Sequence, residues 1–417
     1  MSSPRILFLD HTASLGGAEL YLFDLASHYR ATSAVVLLED GPFREKLEAA
    51  DIPTCVIAAN ASVQGVKKES RWWQVITALP EIFRLTVQVS RRARRYDVLY
   101  ANSQKSLIVG ALAGWLAQRP VVWNLHDMLT ADHFSSFNRR LAVFFANQFT
   151  DRVIVNSEAT RTAFVQSGGN AAKTGLVYNG IDVPSAGSSP SERASAVRHE
   201  LNLGDSPVVG MFSRLAPWKG QHVLLRALPE LPGVHALLVG DALFRGDHEY
   251  ATALRDLACE LGVDDRVHFL GFRTDVFSLM QSVDIVVHAS TSPEPFGRVL
   301  VEAQLAETPV IATAAGGALE IIRDGETGWL VPPEDSGALA RAVQYVLTNS
   351  PVEIDRILCR ARRTAEARFS KEAMLEAVGV QLCRVFSDSP LLHHRNNNHS
   401  NTGRTSSFTT TGPNCQV

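Results

Sequence analysis

The feature that most constrains the fold is a repeated alternation of short apolar runs with longer stretches of helical spacing. The short runs are rich in valine, isoleucine and leucine and lack internal polar positions, which indicates strands buried on both faces. Parallel strands covered by helices on each side form a doubly wound α/β domain. The predicted strands are residues 6–9, 34–38, 55–58, 98–100, 121–123, 153–155 and 176–178, then 208–212, 236–239, 267–270, 285–288, 310–312 and 329–331.

The strands form two series separated by a Pro/Gly/Ser-rich stretch that has little to bury. The predicted fold class is therefore α/β, with two doubly wound, Rossmann-like domains facing across a cleft. The first domain is expected over residues 1–180 and the second over residues 181–370. A closing helix over residues 371–386 can pack on either domain, and residues 387–417 are expected to form a disordered polar tail.

Composition excludes several function classes. A formal net charge of -3 gives no global positive field, so nucleic acid is not an expected partner. The five cysteines form no Cys-x-x-Cys pair, which disfavours a zinc site or a disulfide framework and makes the reducing cytosol the expected compartment. The first residues lack the pattern of a signal peptide, and no apolar run is long enough to cross a membrane.

The second half carries a loop suited to a diphosphate. Pro293, Pro295 and Gly297 keep the chain out of helix until about Arg298, where a helix is expected to begin and to point free N–H groups at the loop. Two carboxylates flank this predicted anion site, at Glu294 and Glu302, and carboxylates suit the hydroxyl groups of a sugar or a ribose. The alternative is that Glu294 is a solvated loop residue and Glu302 a first-turn acid stabilised by the helix dipole.

Two cations follow the first predicted strand of the second domain. Arg214 can fork onto two phosphate oxygens, and Lys219 can add a point charge. Both could instead be ordinary surface cations of a loop. Their place at the carboxyl end of a parallel strand, where such sheets bind ligands, favours a role in binding.

At these residues the sequence resembles the large retaining glycosyltransferase family called family 4, which has the two-domain GT-B fold. The resemblance covers residues 5 to 386. The family's Glu-x₇-Glu motif stands as Glu294 and Glu302, its Arg…Lys-Gly element as Arg214 and Lys219-Gly220, and its Gly-Gly-x-x-Glu element as residues 316–320. Residues 179–182 resemble the hinge turn of the family, and residues 15–19 resemble its first-domain glycine loop.

The resemblance implies a role for each matched position. Glu294 would hold the donor sugar and Glu302 the ribose of the nucleotide, while Arg214 and Lys219 would bind the diphosphate. His126, which follows a predicted first-domain strand, would contact the sugar near the reacting carbon, although a histidine there can also be an ordinary hydrogen-bonded loop residue. The remaining expected donor-binding residues are Gly16, Gly17, Gly271, Phe272, Phe296 and Gly297.

The reaction implied by the resemblance is transfer of a hexose-type sugar from a nucleotide diphosphate sugar, with retention. Attack on the same face, helped by the leaving phosphate, needs no carboxylate nucleophile and no cofactor. The sequence contains no Asp-x-Asp triplet, so no metal is expected. The acceptor is not identified by the sequence, and a lipid-linked or polysaccharide precursor would suit it.

Three other functions stay open at this level. An epimerase or a phosphorylase can share the same fold. A non-catalytic sugar-nucleotide-binding protein could keep the phosphate-binding residues without turnover. A dinucleotide-dependent oxidoreductase is disfavoured because no Gly-x-Gly-x-x-Gly follows the opening strand.

Residues 67–95 form a basic stretch with two tryptophans, Trp72 and Trp73, near its start. Such a stretch could bind an anionic membrane and place the protein at the inner face of that membrane. The alternative is a helix that packs on the sheet with solvated arginines. Pro80 interrupts the stretch, so a single continuous helix is not expected.

Overall fold

The computed structural model describes residues 3–60, 72–131, 134–182, 195, 197–201, 203–242 and 245–388. Its first sheet has seven strands in the order β3-β2-β1-β4-β5-β6-β7, and every neighbouring pair is parallel. The strands are β1 Ile6–Asp10, β2 Ser33–Leu37, β3 Thr54–Val56, β4 Val98–Ala101, β5 Val121–Leu125, β6 Arg152–Val155 and β7 Thr174–Leu176.

Helices cover both faces of this sheet, and some of them begin at a side-chain cap. Ser103 caps one of them in a capping box with Ser106, and the Ser157 hydroxyl accepts from the Thr160 N–H at the start of another. The helices are α1 Gly17–His28, α2 Pro42–Ala49, α3 Trp72–Ala93, α4 Gln104–Ala117, α5 Ser136–Phe149 and α6 Glu158–Gln166.

The second sheet has six parallel strands in the order β10-β9-β8-β11-β12-β13. Its strands are β8 Val208–Phe212, β9 His235–Val239, β10 Val267–Gly271, β11 Ile285–His288, β12 Val310–Thr313 and β13 Trp329–Val331. The helices of this half are α7 Gln221–Ala227, α8 Arg245–Glu260, α9 Val276–Ser282, α10 Arg298–Leu305, α11 Ala318–Ile321, α12 Ser336–Thr348 and α13 Pro351–Phe369.

The predicted fold class is confirmed: two doubly wound parallel sheets, each covered by helices. All the predicted strands are present, although β7 lies two residues earlier than the predicted run at 176–178. Each domain has its own large apolar core. Trp123 is fully buried in the core of the first domain and Leu224 in that of the second.

The last described helix, α14 Lys371–Asp388, returns to the first domain. Its apolar residues Met374, Val378 and Leu382 are buried in the same cluster as Leu22 and Tyr21 of α1. This answers the open question of which domain the closing helix covers. The helix extends two residues beyond the predicted end at 386, and residues 389–417 of the predicted tail lie outside the described residues.

The prediction that Pro80 would break the basic stretch is wrong, because α3 runs through it from residue 72 to residue 93. Proline has no backbone N–H, so the carbonyl group one turn earlier loses its partner in the helix; Pro80 is exposed, and water can donate to that carbonyl instead. Residues 67–71, and the side chains of Trp72 and Trp73, lie outside what the structure describes.

Candidate functional site

Both sheets reverse their strand order beside their first strand, between β1 and β4 and between β8 and β11. Loops leaving neighbouring strands diverge at such a point and leave a crevice at the carboxyl ends. The two crevices meet: a Cβ placed on Gly17 of α1 would lie 3.1 Å from Cδ of Arg298 of α10. The cleft is therefore built from the ends of β1 and β4 on one wall and of β8 and β11 on the other.

The loop after β8 is pressed against the segment after β11. Gly220 has a φ of 80°, and a Cβ there would lie 1.9 Å from the carbonyl oxygen of Ala289, so a residue with a side chain does not fit. This close approach carries Lys219, whose ammonium group lies 4.2 Å from the ring centroid of Trp218, to the end of β11. The cation and the Glu-x₇-Glu loop are thus brought together by backbone packing.

The backbone of Glu294 is fixed by the Gly-Gly-x-x-Glu element. Its carbonyl oxygen accepts from the N–H of Gly317 at 2.9 Å, and Glu294 forms a parallel bridge with Gly316. Gly316 has a φ of 60°, and a Cβ there would lie 2.3 Å from the Glu294 carbonyl oxygen. The two motifs form one structural unit at the start of α10 for this reason.

The Glu294 carboxylate has three close partners. Its Oε1 lies 2.6 Å from Lys219 Nζ, 2.8 Å from His288 Nε2 and 2.5 Å from the hydroxyl of Ser290. Burial works to raise the pKa of Glu294, but the charges and hydrogen bonds of Lys219 and His288 outweigh it and hold that pKa well below its usual range. Glu294 is 7% exposed, so it is not a solvated loop residue.

The other two charged residues predicted for the donor also lie at this wall. Arg214 Nε is 3.4 Å from a carboxylate oxygen of Asp247 in α8. Glu302 lies in the second turn of α10, not the first, with Arg298 Nε 3.6 Å from its Oε1. Burial raises the pKa of Glu302, and the Arg298 charge opposes that change.

Three predicted residues are not gathered around the Glu294 carboxylate. Gly271 ends β10, two strands away from β8 at the same edge, and the side chain of Phe272 beside it is 75% exposed. Phe296 is buried, with its ring 6.1 Å from that of Tyr178 and 5.6 Å from that of Phe369. The Phe296 ring therefore supports the junction between the domains and does not face the cleft, so only its backbone can contact a ligand.

The first-domain wall carries a buried polar network around His126. Its Nε2 lies 3.0 Å from Asn102 Oδ1 and 2.8 Å from Asn124 Nδ2, so either neutral tautomer finds a partner. The ring of Tyr21 packs edge-on at 5.2 Å. Burial lowers the pKa of His126 to about 4, so the imidazole is neutral at physiological pH. Asn102 also donates to Asp10, which is fully buried.

Glu19 lies beside the glycine loop of this wall. Its carboxyl group folds back over the start of α1, where a Cβ placed on Gly16 would lie 2.8 Å from its Oε2, the place that the acid of a capping box takes. Burial and the nearby Asp10 charge raise the pKa of Glu19 to about 7. Gly17 therefore faces Arg298 of α10 across the cleft, while Gly16, which precedes it at the start of α1, lies against the Glu19 carboxyl group.

A further carboxylate joins the two walls. Glu320, the last residue of the Gly-Gly-x-x-Glu element, accepts from the N–H groups of Glu158 and Ala159 at 2.9 Å each. These amides open α6 of the first domain, where a negative charge is favoured by the helix dipole. The Tyr178 hydroxyl donates to the same carboxylate at 3.1 Å. The structural unit formed by the Glu-x₇-Glu and Gly-Gly-x-x-Glu motifs is therefore hydrogen-bonded directly to the first domain.

Several of these residues escaped the sequence reasoning. His288 and Ser290, at the end of an apolar strand, and Asn102, at the end of another, carried the signal of polar side chains where parallel strands end. Glu19 carried the capping-box spacing after a glycine. The pairing of Asp247 with Arg214 had no local signal.

Comparisons with known proteins agree with this geometry. The family described as glycosyl transferases group 1 matches residues 194–364, and glycosyltransferase family 4 matches residues 15–184. The D-inositol 3-phosphate glycosyltransferase of Mycolicibacterium smegmatis is 30% identical over 372 residues, covering 85% of this chain and 77% of that protein. The chain belongs to the group 1, family 4 glycosyltransferases.

Solved structures place this glycosyltransferase among GT-B proteins. HepE from Anabaena, in complex with UDP-glucose, is 42% identical with a TM-score of 0.82, and the match covers 92% of this chain and 100% of that one. Sucrose-phosphate synthase from Thermosynechococcus elongatus, at 22% identity and a TM-score of 0.74 over 92% of this chain and 100% of that one, shares the fold.

The described ranges lack two features that would have suggested other functions. No helix there is both long and apolar enough to cross a bilayer. Among the same residues, no three His, Cys, Asp or Glu side chains are grouped so that they could hold a metal ion.

Proposed function

We propose that this glycosyltransferase moves glucose, or a closely similar hexose, from its UDP derivative to an acceptor hydroxyl, with retention and without a metal ion. The observation that carries the proposal is the Glu294 carboxylate, buried and ionised, between Lys219 and the start of α10. UDP-glucose as donor is supported by HepE, a full-length relative at 42% identity that holds this molecule.

The donor would bind across the second-domain wall. Glu294 accepts hydrogen bonds from hydroxyls of the hexose, and Glu302 accepts them from the ribose. The diphosphate lies at Arg214, Lys219 and the N-terminus of α10, where opposite charge and free N–H groups converge. The exposed Phe272 beside Gly271 borders the base.

Transfer then needs little chemistry from side chains. The bond between the sugar carbon and the phosphate oxygen breaks, the acceptor oxygen bonds to that carbon on the same face, and the acceptor proton passes to the departing phosphate. Lys219 and Arg214 stabilise the charge that develops on the leaving group. A neutral His126 can hydrogen-bond near the reacting carbon without adding positive charge beside a ring that itself becomes positive.

The acceptor is proposed to be a lipid-linked or polysaccharide precursor, met at the membrane surface. Along α3 the side chains of Leu79 and Phe83 are 52% and 71% exposed, and Arg91, Arg94 and Arg95 are exposed near its carboxyl end. Exposed apolar side chains on a helix that ends in exposed cations suit the boundary of an anionic bilayer. Arg92 is excluded from this surface because it donates to Cys55 Sγ and to the Gln88 carbonyl.

The donor is tested by incubating the purified protein with UDP-glucose and candidate acceptors, with and without EDTA. We expect UDP release that depends on the acceptor, a product with the anomeric configuration of the donor by NMR, and a rate unchanged by EDTA. Acceptor-independent conversion of the sugar would indicate an epimerase, and binding without turnover a non-catalytic protein. Inversion would contradict retention, and activity lost in EDTA and restored by Mg²⁺ or Mn²⁺ would contradict metal independence.

The membrane contact is tested with vesicles of phosphatidylglycerol or of phosphatidylcholine alone. Binding to the anionic vesicles should fall as salt rises, because exposed charges are screened beyond about 10 Å at 0.1 M. Reversal of Arg91, Arg94 and Arg95 to glutamate should abolish it. The same reversal of Arg356, Arg360 and Arg363, exposed on α13, is the matched control for net charge. Equal binding to both vesicle types would contradict the contact.

A further inference from the structure

The three donors on Glu294 are not alike. Lys219 reaches the carboxylate on a long, flexible stem, and its charge would also face the diphosphate. His288 and Ser290 are built into the sheet edge: His288 is the last residue of β11, Ser290 follows two residues later, and they are 4% and 2% exposed. The two kinds of donor therefore differ in how firmly they can hold a carboxylate.

The segment that carries His288 and Ser290 is itself fixed. The hydroxyl of Thr313, at the end of the neighbouring strand β12, lies 3.2 Å from the carbonyl oxygen of His288 and 2.8 Å from that of Ser290. Nδ1 of His288 is buried without a hydrogen-bond partner in the described part of the chain. Nε2 is thus the polar contact of this ring, and it points at Glu294 Oε1.

Both fixed donors converge on the same oxygen as Lys219. With Oε1 taken by three donors, Oε2 is the oxygen that can accept from a ligand hydroxyl. A carboxylate held at one oxygen by rigid donors is oriented before the ligand arrives. Binding then does not have to meet the entropic cost of ordering that side chain.

We propose that His288 and Ser290 are positioning residues, which fix Oε1 of Glu294 so that Oε2 faces the hydroxyls of the donor sugar. This inference rests on the proposed function, because it takes the hexose of a nucleotide diphosphate sugar as the ligand of Glu294. It assigns these two residues to recognition of the sugar, separately from recognition of the nucleotide.

The test compares the affinities of UDP and UDP-glucose, by calorimetry, in His288→Leu, His288→Gln and Ser290→Ala. We expect the leucine and alanine variants to bind UDP within about threefold of wild type and UDP-glucose about tenfold more weakly, the equivalent of one lost hydrogen bond of roughly 1.4 kcal/mol. Glutamine can present its amide N–H near the position of imidazole Nε2, so His288→Gln should recover most of the loss. Ser292→Ala, in the same loop, is the matched control.

Two results would overturn the inference. One is an unchanged affinity for UDP-glucose in His288→Leu. The other is an equal loss of affinity for UDP and for UDP-glucose in that variant, with no recovery in His288→Gln. Wild-type protein that fails to bind UDP-glucose would instead count against the proposed function. A measurement made in the absence of the sugar nucleotide then tests whether His288 positions Glu294. Carboxyl ¹³C NMR should show Glu294 titrating at higher pH in His288→Leu than in wild type, and an unchanged titration would overturn it.

Discussion

The two walls of the cleft each bury a glutamate, and the surroundings move the two pKa values in opposite directions. On the second-domain wall, Lys219, His288 and Ser290 meet Glu294 and keep it ionised. On the first-domain wall, burial and the Asp10 charge push the pKa of Glu19 up to about 7. Burial therefore raises the pKa of a cleft carboxyl group, as at Glu19, unless nearby cations and hydrogen-bond donors outweigh it, as at Glu294.

The difference matches what each wall would do. An ionised carboxylate beside cations is ready to accept hydroxyl hydrogens of a polar ligand and contributes to a field that receives a diphosphate. The wall with Glu19 and the neutral His126 presents little charge to a reacting sugar. A substitution on one wall therefore leaves the other wall as its reference.

The largest effect is expected from Lys219→Met, which removes the cation from the Glu294 carboxylate and from the proposed diphosphate site. Transfer should fall roughly 100- to 1,000-fold, as for loss of one donor to a developing negative charge. The free energy of unfolding at pH 7 should fall by about 3 kcal/mol, because a buried carboxylate loses its ion pair. Initial rates and urea denaturation measure the two quantities.

The double variant Lys219→Met/Glu294→Gln is the control for that stability change. It has no buried charge left unpaired, so it should be more stable than Lys219→Met alone while remaining inactive. If both variants have the same unfolding free energy, the ion pair does not set the stability of this wall.

An effect of intermediate size is expected on the pH dependence of the unfolding free energy, through the titration of Glu19. A raised pKa in the folded state means that Glu19 stabilises the fold most below its unfolded value, near 4.5, and loses this contribution as pH rises to about 7. Between pH 5 and pH 8, wild type should lose about 2 kcal/mol more unfolding free energy than Glu19→Gln, which keeps the capping amide and lacks the titration.

The control for Glu19 is Glu45→Gln, an exposed acid of α2, which should follow wild type across the same range. Glu294→Gln should have the same pH dependence as wild type between pH 5 and pH 8. It should differ only below about pH 4.5, where wild type loses the stability that the lowered pKa of Glu294 contributes. Parallel pH curves for wild type and Glu19→Gln would show that the two walls do not differ in this way.

The smallest effect is expected from lowering the pH on the protonation of His126. Its pKa near 4 predicts that the imidazole shows the chemical shifts of the neutral form from pH 8 down to pH 5.5, in NMR spectra assigned by comparison with His126→Gln. The donor kcat/KM should accordingly show no limb from this residue in that range. A midpoint near 6.5 would mean that the network of Asn102 and Asn124 is open to water.

Much of the fold could be predicted from the sequence because strands buried on both faces are continuous apolar runs. The start of α10 at Arg298 followed from Pro293, Pro295 and Gly297, which is a local signal. Phe296 shows the limit: the resemblance placed it among the donor-binding residues, and no local signal showed that its ring packs against Tyr178 and Phe369.

The site geometry depended on contacts between distant parts of the chain. Lys219 reaches Glu294 because Gly220 lets its loop lie against Ala289, and no spacing along the sequence encodes that approach. The raised pKa of Glu19 likewise depends on burial and on the Asp10 charge across the loop. Residue types at strand ends were predictable, and their partners were not.

The central claim, that Glu294 recognises the sugar while other groups hold the nucleotide, is tested most directly by calorimetry of Glu294→Gln with UDP and UDP-glucose. UDP should bind as in wild type or more tightly, since Lys219 is released from its carboxylate, and UDP-glucose should lose about tenfold or more in affinity. Glu260→Gln, at the exposed end of α8, should leave both affinities unchanged. Equal weakening of UDP and UDP-glucose in Glu294→Gln would contradict the account.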